Sequence, residues 1–197
     1  MGAKLIIKEI SSSQVDLVVS IHSRALPDDV MPNLGEKLLQ KYYRNVLLDK
    51  NHMLFGATIS DELLGFCLVS TKYSGLRQVI TSKRGLFESL KLMLLKPGIF
   101  YLGLMQAFKK SKIIDNTAEI SYLAVDPSYQ SRGAGYEMVL HANQWCYERG
   151  LSFLQTKTTN NSLRNFYLNR FDAKEMRQYK LSGRFYSELR WPTSMKT

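Results

Sequence analysis

The chain is poor in the residues that build metal centres and covalent cross-links, with two cysteines and three histidines in 197 residues. Cys67 and Cys146 each fall where the pattern asks for an apolar side chain, and neither belongs to a pair with metal-ligand spacing. This excludes a disulfide framework and reads as two buried thiols. His22, His52 and His141 are far apart in sequence, so no metal is expected. Long apolar runs are absent too. The stretches 86–95 and 99–108 are too short to cross a bilayer, and Lys91 and Lys96 interrupt them. Residues 1–10 carry neither the apolar run nor the cleavage site of a secretory leader, so a cytoplasmic protein is expected. No repeat and no low-complexity segment breaks the chain, and its length suits one domain spanning 1–197.

Acidic residues are also scarce. Asp and Glu number 17 against 27 Lys and Arg, a net charge of +10. A basic excess favours anionic partners. The basic residues are scattered, with small clusters at Lys83-Arg84 and Lys109-Lys110-Ser111-Lys112. No nucleic-acid-binding motif accompanies them, so nucleic acid is not expected, and a membrane surface and a phosphorylated ligand both fit. No nucleophile elbow is present to anchor a Ser-His-Asp triad.

What the sequence does have is a stretch that organises the rest, AEISYLAVDPSYQSRGAGY over 118–136. An apolar strand over 120–125 ends at Asp126-Pro127. The loop Gln130-Ser131-Arg132-Gly133-Ala134-Gly135 feeds a helix running to about Arg149, with Gly135, Val139, Ala142 and Cys146 on one face. A glycine-rich loop at a helix N-terminus presents unpaired N–H groups and the positive end of the helix dipole, so it suits a phosphate. It lacks the Gly-Lys-Ser/Thr of a P-loop and the Gly-x-Gly-x-x-Gly of a dinucleotide site.

Along the chain, 5–10 reads as a strand, 14–24 as a helix, 27–35 as a loop and 35–48 as a second helix. Strands 53–60 and 63–70 form a hairpin turning at Asp61-Glu62; the second is almost continuously apolar and belongs in the middle of a sheet. Residues 73–114 form a largely helical insertion, expected to pack on the core or on a second copy in a homodimer; a substrate lid and a membrane-surface contact are the alternatives. After Gly150, a C-cap, come a strand at 153–158, a helix capped at Asn160 and running to about 168, and closing strands at 176–181 and 185–189.

Leu123-x-Val125-x-Pro127-x-x-Gln130-x-x-Gly133-x-Gly135 resembles the acetyl-CoA motif of the GNAT superfamily of N-acetyltransferases. Asn160, Phe166, Tyr167 and Phe171 resemble that family's second motif, with Arg170 where its glycine is usual. Asn169 is then expected to take the left-handed turn. The resemblance implies an α/β (α+β) fold with a central mixed, mostly antiparallel sheet flanked by helices. It implies acetyl-CoA as co-substrate and no metal. It further implies that the backbone of Leu123 and Val125 meets the pantetheine and the thioester carbonyl. Gln130, Arg132, Gly133, Ala134 and Gly135 would hold the pyrophosphate, and Asn160 the pantetheine arm.

Acyl transfer to an amine needs a base, an oxyanion donor and a proton for the leaving thiolate. On the family pattern Tyr167 supplies that proton and Glu119 is the base; His22 and a water chain are the competing bases. The acceptor is expected to be a small-molecule amine, with a nucleotide-linked amino sugar favoured by the positive charge. A peptide amine and a non-catalytic acyl-CoA-binding module are the alternatives.

Overall fold

The computed structural model describes residues 4–72, 83–101, 113–181 and 183–194. The second helical stretch of the insertion lies outside the described residues beyond 101, as do Lys109, Lys110, Lys112 and Ser182.

The elements are β1 (Ile6–Glu9), α1 (Val15–Ala25), α2 (Val30–Asn33), α3 (Glu36–Leu48), β2 (His52–Ile59), β3 (Glu62–Ser70), α4 (Lys83–Leu95), β4 (Thr117–Val125), α5 (Ala134–Glu148), β5 (Phe153–Thr158), α6 (Asn161–Phe171), β6 (Lys174–Leu181) and β7 (Arg184–Pro192). The strands form one seven-stranded sheet in the order β1-β2-β3-β4-β5-β7-β6. Its pairs are antiparallel except β4 with β5. β3 is an interior strand, third in that order, as its apolar run requires.

Side chains on the two sheet faces bury separate clusters. One gathers Val15, Val18, Val19 and Ile21 of α1 with Leu38, Leu39, Tyr42 and Tyr43 of α3, over Phe66 and Leu68. The other places Met138, Val139, Ala142 and Cys146 of α5 and Tyr167 of α6 over Phe55, Cys67 and Val69. Both thiols are fully buried, and burial raises their pKa values, that of Cys146 to about 12.

Three local expectations need correction. The segment between α1 and α3 contains the short helix α2, started after Asp29. The β2–β3 hairpin turns at Ser60-Asp61, not Asp61-Glu62; both are left-handed, with φ 48° and 65°, as a two-residue type I′ turn demands. Helix α6 continues through Phe171, and the left-handed residue is Asp172 at φ 49°, not Asn169, which stays helical. Asp tolerates that conformation because its short side chain bonds locally.

The sheet's β4–β5 seam is incomplete. The strands pair from Thr117 with Phe153 to Ile120 with Thr156 and then part. On its other side β4 stays paired with β3 up to Val125 opposite Gly65, with a register shift that leaves Ser121 as an extra residue. The Asp126 N–H donates to Leu64 O at 2.8 Å, toward β3. By alternation Ala124 and Tyr122 also address β3, so the peptide groups of Leu123 and Val125 face the side that β5 has left.

Gly65 holds β4 in place. A Cβ there would stand 2.5 Å from the Ala124 carbonyl oxygen and 3.0 Å from the Val125 Cα, both backbone atoms. Gly65→Ala is expected to cost about 1–3 kcal/mol of stability, the range for overpacking, and to displace Val125. Urea unfolding and acetyl-CoA titration should register both effects; unchanged ligand affinity would mean that β3 yields rather than β4.

Candidate active site

The parted strands open a cavity of about 560 Å³. Its walls include Glu119–Leu123 of β4, Thr156–Thr158 of β5, Asn160 before α6, Tyr167 of α6, and Asp28 and Asp29 from the segment before α2. A second hollow of about 630 Å³ adjoins it, sharing Asp28, Thr158, Thr159, Asn160 and Arg184, and adding Arg164 and Phe185.

Tyr167 is fully buried, and its hydroxyl has no hydrogen-bond partner among the described residues. The ring stacks on Trp191 at 5.1 Å with 22° between planes. Burial raises the phenol pKa well above its usual value, so the proton stays on oxygen at any working pH. A buried hydroxyl without a partner costs about 1–3 kcal/mol, which favours a site where a ligand atom completes it.

Glu119 stands where β4 and β5 still pair, opposite Gln155. Its Oε2 accepts from Lys157 Nζ at 2.8 Å and from Gln155 Nε2 at 2.9 Å. Lys157 therefore neutralises the carboxylate, a partner not read from the sequence.

His22 lies on α1, with its ring 4.6 Å from that of Tyr122 on β4. It is fully buried, with Nδ1 2.6 Å from Tyr43 Oη and Nε2 3.2 Å from Asp29 Oδ2. Burial first, and then neighbouring groups including Asp29, hold the Tyr43 and Tyr122 phenols well above their ordinary pKa.

The loop over 130–135 is shaped as a phosphate cradle. Ser131 and Gly133 are left-handed, with φ 64° and 84°, and Gly133 is the residue before α5. The first-turn N–H groups of α5 have no carbonyl below them and face outward. A Cβ at Gly133 would meet nothing within 4 Å, so conformation is what demands glycine there. At Gly135 the nearest atom would be Val125 Cγ2 at an ordinary 3.8 Å, so glycine there keeps the loop's outer surface open. Arg132 lies over the Tyr129 ring at 5.1 Å. The Gln130 side chain turns back to donate to Val125 O at 3.4 Å. Asn160 spends its Oδ1 capping α6 through Leu163 N at 3.0 Å.

Asp126, legible in the sequence as the strand's terminator, also secures the strand exit through Arg24, a partner the pattern does not show. It accepts from Ser128 N at 3.0 Å and from Arg24 Nε at 3.1 Å, with Arg24 Nη2 as a further donor. The Ser128 N–H, then Arg24, lower its pKa. The contact ties the end of α1 to the end of β4.

Residues 17–172 match the family model described as the acetyltransferase (GNAT) family. The chain belongs to that family. It is an acetyltransferase, of a family that uses acetyl-CoA. No curated protein matches it. Among solved structures the acetyltransferase fold recurs in the ribosomal-protein alanine N-acetyltransferase of Escherichia coli, with TM-score 0.62, 14% identity and coverage of 98% of this chain and 97% of that one. A chimera built on the spermidine N-acetyltransferase of Vibrio cholerae gives 0.61 at 10% identity, covering 97% and 96%. The PaiA N-acetyltransferase of Thermoplasma acidophilum, in complex with coenzyme A, gives 0.55 at 12% identity, covering 96% and 99%. Among the described residues of this acetyltransferase no three metal-ligating side chains gather, and no helix is long and apolar enough to cross a membrane.

Proposed function

We propose that the protein transfers an acetyl group from acetyl-CoA to a primary amine of a small molecule by direct attack on the thioester. The observation that carries this reading is the conjunction at the seam: outward-facing Leu123 and Val125 peptides beside a fully buried, unpartnered Tyr167 hydroxyl. The chain's residues fit the co-substrate at both ends. The α5 N-terminus with Gly133, Ala134, Gly135 and Arg132 suits the pyrophosphate; Gln130, turned onto Val125, braces the loop from within. Asn160 edges the channel for the pantetheine arm. Bound there, acetyl-CoA supplies an activated acyl group as a thioester.

The protein's own groups then do the rest. The Val125 N–H donates to the oxygen that gains charge. Tyr167 Oη donates its proton to the departing sulfur. Glu119 accepts the amine's proton, directly or through a water, with Lys157 and Gln155 fixing its Oε2.

For the acceptor we favour an amino sugar, nucleotide-linked in its fullest form. The adjoining hollow supports that choice, because Arg184 and the exposed Phe185 ring line it, while Arg164 there is already held by Glu175.

The test is a titration with acetyl-CoA followed by an amine screen that reads thiol release, with amino sugars, nucleotide amino sugars, diamines and short peptides as arms. Turnover confined to peptides would remove the sugar reading; no acetyl-CoA binding would remove the proposal. Glu119→Gln keeps the side chain's shape and is expected to lower kcat about a hundredfold, the scale of general-base catalysis, with acetyl-CoA affinity unchanged. An unaltered kcat would pass the role of base to a water chain.

A further inference from the structure

We propose that Asp29 is the carboxylate that docks the acceptor's ammonium group, with His22 as the residue that positions it. The inference rests on the acetyltransferase reading above and names how its acceptor is held.

Asp29 occupies the position before α2 where an Asp side chain ordinarily accepts from the first turn, yet its side chain makes no capping bond. The carboxylate is turned instead to His22, and it lines the cavity with its side chain 20% exposed. The imidazole that meets it cannot drift. Both ring nitrogens are engaged, to Asp29 and to Tyr43 Oη, and the ring is packed by Tyr122 at 4.6 Å and Phe66 at 5.9 Å. Such a support is what a binding group needs if it is to stay in one geometry.

The charges of the cavity wall distinguish Asp29 from its neighbours. Glu119 is matched by Lys157, and Asp28 lies 3.8 Å from Arg184. The group that meets Asp29 is the imidazole of His22, not a lysine or arginine with a fixed charge. An alkylamine, with a pKa about 10, arrives as an ammonium ion, and an amine nearer to about 8, as an α-amino group is, still arrives mostly protonated at neutral pH. A partly desolvated carboxylate attracts that ion far more strongly than one in open water. The same cavity holds the unpartnered Tyr167 hydroxyl, an independent sign that a ligand completes it. Asp29 binds and orients; removal of the proton stays with Glu119.

The test uses the full chain. Saturation-transfer NMR with glucosamine on the CoA-loaded protein reads docking without turnover. Thiol release with glucosamine, 1,4-diaminobutane and an alanyl peptide reads catalysis. Asp29→Asn, which is isosteric, is expected to abolish the glucosamine signal. It should raise KM at least tenfold for whichever amine is acetylated, with kcat changed less than threefold and acetyl-CoA affinity unchanged. Asp29→Glu should recover part of the KM. His22→Gln, which keeps a donor toward Asp29, should raise KM less than His22→Phe. A glucosamine signal lost in Asp29→Asn without turnover by any form would uphold the docking role and sink the catalytic reading. No signal with the wild type, or signal and KM unchanged in Asp29→Asn, would overturn the docking role itself.

Discussion

Replacing Tyr167 by Phe is expected to slow acetyl transfer about a hundredfold, the lower end of general-acid effects, and to leave the protein more stable. The two effects have one cause. The hydroxyl is buried and has no partner among the described residues, so the folded protein bears its desolvation without a compensating bond. Removing the oxygen should relieve about 1 kcal/mol, while the ring's stacking on Trp191 and packing against Phe166 and Phe171 remain. The raised phenol pKa means the wild-type group always carries its proton. Acetyl-CoA affinity should barely change, because the hydroxyl acts on charge that develops only as the thiolate leaves. Kinetics, calorimetric titration and urea unfolding on the same preparation give the three readings. A slower but less stable variant would mean that the hydroxyl supports the core, and an unaltered rate would leave thiolate protonation to solvent.

The second large effect is expected at Gly133. Gly133→Glu should weaken acetyl-CoA binding at least about a hundredfold, equivalent to about 2.7 kcal/mol. Two penalties combine in it. The position sits at φ 84°, which L side chains resist by roughly 1–2 kcal/mol. A carboxylate at the mouth of α5 would also occupy the positive end of the helix dipole in place of a phosphate. Gly133→Ala separates them: its Cβ meets nothing within 4 Å, so only the backbone penalty remains. A loss of a few fold is expected for that variant by calorimetric titration. Equal losses in both would assign the whole effect to loop geometry, and no loss in either would remove the loop from the binding site.

The outline of this fold was legible because its signals are local. Period-3.6 stripes placed α1, α3 and α5, and the unbroken apolar run of β3 put it in the interior of the sheet. Gly150, expected as a C-cap, is left-handed at φ 68°. Reading failed where two nearby residues could serve one turn. Ser60-Asp61 and Asp61-Glu62 are both polar pairs, and only the register of β2 on β3 decides between them. Asn169 is the better left-handed residue by type, yet the packing of Phe171 on Phe166 and Trp191 carries the helix on to Asp172.

The site divides in the same way. Gly133 and Asn160 announce a loop and a cap through residue type. Lys157 beside Glu119, Arg24 on Asp126 and Asp29 under His22 do not announce themselves. The first two join residues 38 and 102 positions apart, and periodicity carries no information over such distances. His22 and Asp29 are only seven apart, but Asp29 reads as an ordinary helix cap until its side chain is seen to point elsewhere.

The open seam between β4 and β5 has a consequence for genetics. Where recognition is written in peptide groups, as proposed for Leu123 and Val125, exchanging one apolar side chain for another leaves the recognising atoms in place. A saturation library across this strand would score its most important contacts as tolerant, and would concentrate apparent importance in the glycines and buried residues that hold the strand still. Gly65, which touches no ligand, would look more essential than the residues it serves.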